Sequence, residues 1–176
     1  MSILKKLMTA VRGGAREMGE LVVDANQSWS FELLQEVIPR CAGLNLEMIE
    51  QPLARGGDES LAGFESPITL AADESCLHSG ELETASQRYN MINIKLDKTG
   101  GLTEALKLAK AAKAKGCKLM VGNMVGTSLS MAPSFVVAQL CDFVDIDGPL
   151  LLKYDQPLGL NYDKGVVTGF DTRLWG

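Results

Sequence analysis

Six short apolar runs, each halted by a polar residue, recur along this chain at nearly constant intervals. Leu21-Val22-Val23 stops at Asp24, Met48-Ile49 at Glu50, and the run from Ile68 to Ala72 at Asp73. Ile92-Asn93-Ile94 stops at Lys95, Leu119-Met120-Val121 at Gly122-Asn123, and Phe143-Val144 at Asp145. The steps between these ends are 26, 23, 22, 28 and 22 residues. Each step has room for a loop, a helix and the next strand, the length of a β/α unit. Six buried strands with polar ends on one side predict an α/β fold, either a parallel TIM-type β/α barrel or an open sheet. In such folds the chemistry gathers at the carboxyl ends of the strands.

The elements follow in order. Ser2–Arg16 is basic and amphipathic, with Ile3, Leu4, Leu7, Met8 and Val11 on one helical face. It reads as a barrel helix packing on the next strand. A transit peptide or membrane-surface helix is the alternative, although the continuous apolar core of a secretory signal is missing. Strand Glu20–Asp24 precedes a helix over Phe31–Cys41, capped by Ser30. Strand Leu46–Glu50 is closed by Gln51-Pro52, where proline stops the strand. A short helix over Asp58–Phe64, strand Ile68–Asp73, helix Glu81–Arg88 and strand Met91–Leu96 come next. The Ala-, Leu- and Lys-rich run Thr103–Lys115, ended by Gly116, is the clearest helix. Strand Lys118–Val121, helix Ser128–Leu140 and strand Phe143–Ile146 complete the repeat. Leu150–Gly176 reads as short strands and turns. No linker or low-complexity segment divides the chain, so it reads as one domain.

Composition narrows the partners. At 46% hydrophobic and 22% charged, the chain is globular rather than disordered. A net charge of -5 argues against nucleic acid, whose binding needs clustered Lys and Arg. Cys41, Cys76, Cys117 and Cys141 show no Cys-x-x-Cys spacing, which fits reduced thiols in a cytoplasmic protein. No apolar run approaches the roughly 20 residues that span a bilayer, so no membrane partner is expected.

Asp24, Glu50 and Asp73 end three successive strands. Neighbouring strands lie about 4.8 Å apart, so three carboxylates at adjacent ends converge. Like charges so close call for a cation. All-oxygen ligands without His or Cys favour Mg²⁺, with Mn²⁺ possible. Asp24 or Asp73 alone would more often be a helix N-cap; three in register point to a metal. Lys95 ends the next strand. A lysine partly desolvated beside a cation can act as a base; equally, Lys95 could pair with Asp97 or a ligand carboxylate. Asp145 and Asp147 read, by themselves, as strand-end caps.

The motifs Val-Asp-Ala-Asn (23–26), Ile-Glu-Gln-Pro (49–52), Ala-Asp-Glu-Ser (72–75), Asn-Ile-Lys-Leu-Asp-Lys-Thr-Gly-Gly (93–101) and Asp-Ile-Asp-Gly-Pro (145–149) together resemble the enolase superfamily. Within it the chain most resembles the dipeptide epimerases that interconvert L-Ala-D-Glu and L-Ala-L-Glu. The resemblance implies that Asp24, Glu50 and Asp73 hold Mg²⁺, which binds the substrate carboxylate and stabilises the enolate left by α-proton abstraction. It implies that Lys95 is one of two acid/base lysines. Asp145 and Asp147 resemble the pair that binds the dipeptide's ammonium group. Asn26, Cys76 and His78 receive no role.

The family's second lysine belongs to a Lys-x-Lys motif one β/α step before Asp24, and no such motif is present. Lys5 and Lys6 lie on a helix and cannot replace it. The expected architecture is therefore a partial barrel, about strands three to eight, lacking the first two strands and the N-terminal capping domain. Activity of such a chain is expected to be impaired. Exposed edges of the outer strands would favour a homo-oligomer. Muconate cycloisomerase or o-succinylbenzoate synthase chemistry is the alternative within the superfamily. A non-catalytic remnant that binds metal or assembles with another subunit is the alternative outside it.

Overall fold

The computed structural model describes Val11 and residues 21–41 and 43–175. The helix expected over Ser2–Arg16 lies outside these residues except for Val11. The described chain forms two compact units. The first comprises residues up to Ser75 together with Glu83–Met91; the second comprises Cys76–Leu82 and Ile92 onward.

In the first unit, β1 (Leu21–Asp24), β2 (Leu46–Glu50) and β3 (Thr69–Ala72) lie side by side in sequence order. All pairs are parallel. Asp24 stands opposite Glu50, and Glu50 opposite Ala71. Met48, Ile49, Leu70 and Ala71 are almost fully buried, as expected for parallel strands covered on both faces. Helix α1 (Phe31–Arg40) buries Leu34, Val37 and Ile38 on one stripe. Its N-cap forms as the sequence predicts: Leu33 N–H donates to Ser30 Oγ at 3.2 Å. The Glu36–Arg40 pair on its outer face is exposed, and such pairs contribute little. The helix expected over Asp58–Phe64 is only a 3₁₀ turn, Glu59–Leu61.

The second unit repeats the plan. Here β4 (Met91–Lys95), β5 (Lys118–Gly122) and β6 (Phe143–Val144) are ordered in sequence. Between β4 and β5 the chain makes a helical turn, Leu96–Thr99, and then α2 (Leu102–Ala114). That helix buries Ala105, Leu108, Ala109 and Ala112, the spacing of a single helical face. It ends near Gly116, whose φ of +79° only glycine adopts without strain. Helix α3 (Ser128–Ala138) joins β5 to β6. The tail contains a two-stranded antiparallel hairpin, β7 (Asn161–Asp163) and β8 (Val166–Thr168). Lys164 and Gly165 link them, both at positive φ, which is the turn that matches strand twist.

The helix before β4 and the last strand of the repeat also come out shorter than expected. The helix over Glu81–Arg88 reduces to a 3₁₀ turn, Ser79–Glu81, and one helical turn, Leu82–Ala85. It stops because Arg88 and Tyr89 turn inward to reach Asp58. Strand β6 has two paired residues rather than four, although Asp145 N–H still donates to Val121 O at 2.9 Å.

Ile49, fully buried at the centre of β2, tests this core. Ile49→Ala is expected to lower unfolding free energy by about 2–5 kcal/mol, measured by urea denaturation.

Candidate active site

The parallel register of the first unit sets three acids along one sheet edge. Glu50 closes β2 and Asp73 follows β3; each is only 5% exposed. Asp24 closes β1 and is exposed. The backbone ladder continues past the strands: Ala25 N–H donates to Glu50 O at 3.0 Å, and Gln51 N–H to Ala71 O at 2.8 Å. These bonds hold the strand ends flush. The side chains are not gathered to the same degree. Asp24 Oδ1 accepts from Asn26 N–H at 2.7 Å, a local turn that draws its carboxylate onto its own loop. Among the described residues, no three Asp, Glu, His or Cys side chains are grouped closely enough to hold a metal ion. The donor set nevertheless fits a hard cation: all oxygen, carboxylate, with two of the three acids buried.

The second unit brings Lys95 and Asp147 each within electrostatic reach of Asp145. Lys95, half-buried at the end of β4, runs beside Gly122 at the end of β5. A Cβ at position 122 would sit 3.0 Å from Lys95 Cε and 3.0 Å from Asn93 Oδ1. Glycine there leaves the space that the lysine uses. Partial burial raises the Asp145 carboxyl above the ordinary carboxylate range, and Asp147 adds to it by charge and by a hydrogen bond. Lys95 acts in the opposite direction. Asp145 retains solvent access, so the strain comes from crowding by a like charge as well as from lost water.

The tail anchors this acid pair, a role the sequence pattern does not signal. Tyr162 O–H donates to the carbonyl of Ile146, the residue between the two aspartates, at 2.7 Å. Burial, with Asp155 and Asp147 nearby, pushes the Tyr162 phenol up to about 12, so it stays protonated. Ser128, fully buried at the start of α3, donates to Asp155 through both its N–H and its hydroxyl. Its Oγ also accepts from Leu160 N–H at 2.8 Å. A cavity of about 350 Å³ opens beside Asp145, Asp147, Tyr162 and Lys164. His78, unassigned from the sequence, caps its own loop: its Nδ1 accepts from Gly80 N–H at 3.1 Å.

Residues 5–159 match the family described as enolase C-terminal domain-like. Among curated relatives, the chain is 45% identical to an N-acetyl-D-glutamate racemase from a Pseudoalteromonas species, over 96% of this chain and 53% of the racemase. It is 40% identical to the L-Ala-D/L-Glu epimerase of Escherichia coli K12, over 93% of this chain and 50% of the epimerase. A solved structure from Agrobacterium tumefaciens superposes with a TM-score of 0.92 at 44% identity, covering 96% of this chain and 52% of that one. It is an enolase family member with homology to dipeptide epimerases, holding sodium and L-Ala-L-Glu. The chain thus spans about half the length of the curated relatives it matches. Its fold class is the α/β barrel type of the enolase superfamily.

Asp145 makes stability depend on pH. Its folded pKa is raised, so its stabilising contribution is complete below the ordinary carboxylate range and is lost as pH rises through the folded value. Asp145→Asn removes that loss. Thermal unfolding from about pH 4 to about pH 8 should show the variant gaining on the parent chain with rising pH.

Proposed function

This chain belongs to the enolase C-terminal domain-like family, and on that premise we propose that it carries the cation-binding acids and one base of an epimerase acting on L-Ala-D/L-Glu-type dipeptides. The observation that supports this most directly is Lys95 standing with the Asp145–Asp147 pair in a unit whose strand ends follow the superfamily pattern. A proton acceptor beside two carboxylates suits a substrate with an acidic C–H and an ammonium group.

The roles divide between the units. In the first, Asp24, Glu50 and Asp73 would hold Mg²⁺ or Mn²⁺. When bound, the cation supplies positive charge for a substrate carboxylate and for the negative charge that grows as the α-proton leaves. In the second, Lys95 Nζ takes the α-proton, and its stem is aligned by the open space at Gly122. Asp145 and Asp147 receive the ammonium, and a cation there relieves their mutual repulsion. Inversion also needs a proton donor on the opposite face of the carbon; the resemblance assigns that to a second lysine, which the chain's motifs do not include. The four cysteines form no disulfide, and we assign the chain to the cytoplasm.

A second reading is racemisation of an N-acylated glutamate, favoured by the 45% identity to the N-acetyl-D-glutamate racemase. The two readings share the metal, the base and the acidic α-carbon. They differ at the amino end, because an acetamide has no charge for Asp145 and Asp147 to meet.

Deuterium uptake at the Glu α-carbon, followed by NMR in D₂O with Mg²⁺, tests the proposal. Uptake from L-Ala-L-Glu or L-Ala-D-Glu is expected, with N-acetyl-D-glutamate slower. Faster uptake from N-acetyl-D-glutamate would favour the second reading. No uptake from any of them, by a folded chain that binds metal, counts against both. Lys95→Ala should lower uptake by about 10²–10⁴-fold while leaving Mn²⁺ binding intact. Near-parental exchange would remove Lys95 as the base. Asp73→Asn should weaken Mn²⁺ binding strongly, and unchanged affinity would remove Asp73 from the site.

A further inference from the structure

Gln51 follows Glu50 directly and is fully buried. Its φ is +34°, a conformation that side-chain-bearing residues rarely adopt. Such strain persists only where surrounding contacts over-determine it. Here the contacts come from the side chain. Gln51 Oε1 accepts from the backbone N–H of Asp73 at 2.9 Å and of Ser75 at 3.1 Å. Two N–H donors on one oxygen settle which way the amide faces. Its Nε2 then donates among three acceptors: Leu53 O at 2.9 Å, Ser75 Oγ at 2.8 Å and Tyr89 O–H at 3.1 Å.

The next layer is as tightly defined. Asp58, 1% exposed, accepts from Ser75 Oγ at 2.7 Å, Tyr89 O–H at 2.7 Å and Arg88 Nη1 at 2.6 Å. Because both hydroxyls donate to Asp58, their oxygens are left to accept from Gln51. Burial above all pushes the Tyr89 phenol up, so it keeps the proton that it gives to Asp58. Donation thus runs one way, from the backbone N–H of Asp73 to Gln51 Oε1, from Gln51 Nε2 to the two hydroxyls, and from these to Asp58, which Arg88 also meets as a donor.

We propose that Gln51 is a positioning residue for the cation site, tying the end of β2 at Glu50 to the backbone of Asp73, with Asp58, Ser75 and Tyr89 holding its amide in register. The inference rests on the proposed cation ligands and extends it to a residue that touches neither cation nor substrate. One main-chain segment carries Glu50 and Gln51 together. The Gln51 side chain fixes where Asp73 begins. The amide thus adds a side-chain tie to the backbone ladder between the two buried acids.

The test measures Mn²⁺ affinity of the 176-residue chain by electron paramagnetic resonance, with thermal unfolding in chelator alongside. Gln51→Met keeps the length and removes every side-chain hydrogen bond; it should weaken Mn²⁺ binding by about 10–100-fold. Tyr89→Phe spares the grip on Asp73 and removes one support, and a smaller loss is expected. Leu34→Ala opens a cavity in the core of the same unit and should lower stability without changing affinity. A folded Gln51→Met with parental affinity overturns the inference. So does a Leu34→Ala loss as large as that of Gln51→Met. If Gln51→Met does not fold, parental affinity in Tyr89→Phe overturns it instead. Asp73→Asn separates the two layers. Unchanged binding there overturns the cation site and this inference together. Loss there beside parental Gln51→Met overturns the inference alone.

Discussion

The parallel hydrogen-bond ladder of the first unit is the constraint on which the rest depends. It sets Asp24 opposite Glu50 and carries the chain on to Asp73 at the same edge. Backbone pairing can do this because parallel strands leave the sheet on one side and return through helices. Each polar strand end therefore emerges beside the last. Burying Glu50 and Asp73 there is costly for carboxylates. The ladder keeps them in place through backbone bonds, which a change of side-chain protonation does not break.

The second unit solves the complementary problem with the same device. Its strand ends bring a lysine and two aspartates within reach. The acids oppose each other, and Lys95 offsets part of that cost. Gly122 contributes by what it lacks: without a Cβ, the lysine stem and the Asn93 amide occupy the space beside it. The loop between the aspartates is pinned from outside by Tyr162, and the start of α3 is tied to the tail through Ser128 and Asp155.

How much of this is legible in the sequence depends on the range of the interaction. The strand positions are readable to within one or two residues, because an apolar run ended by a polar residue is a local signal. The long helix Leu102–Ala114 is readable for the same reason. The stretch Glu81–Arg88 misleads, because its composition suits a helix while Arg88 and Tyr89 are drawn to Asp58, 30 residues away. Gln51 is invisible as anything beyond a residue before proline. Its partners at 73, 75 and 89 come together only in the folded unit. Tyr162 is hidden likewise, since nothing around it marks it as a partner of Ile146.

By itself, the sequence determined the α/β repeat, the identity of the residue at each strand end and, through five motifs in order, the resemblance to the enolase superfamily. Those features depend on periodicity and spacing, which are properties of neighbours along the chain. Only the tertiary structure decided which acids are buried, that Asp24 is engaged by its own loop, and that Asp145 and Asp147 strain against each other beside Lys95. It alone revealed the amide of Gln51 between two strand ends. Burial, proton direction and electrostatic coupling arise from groups distant in sequence, and they exist only once the backbone ladder has brought those groups together.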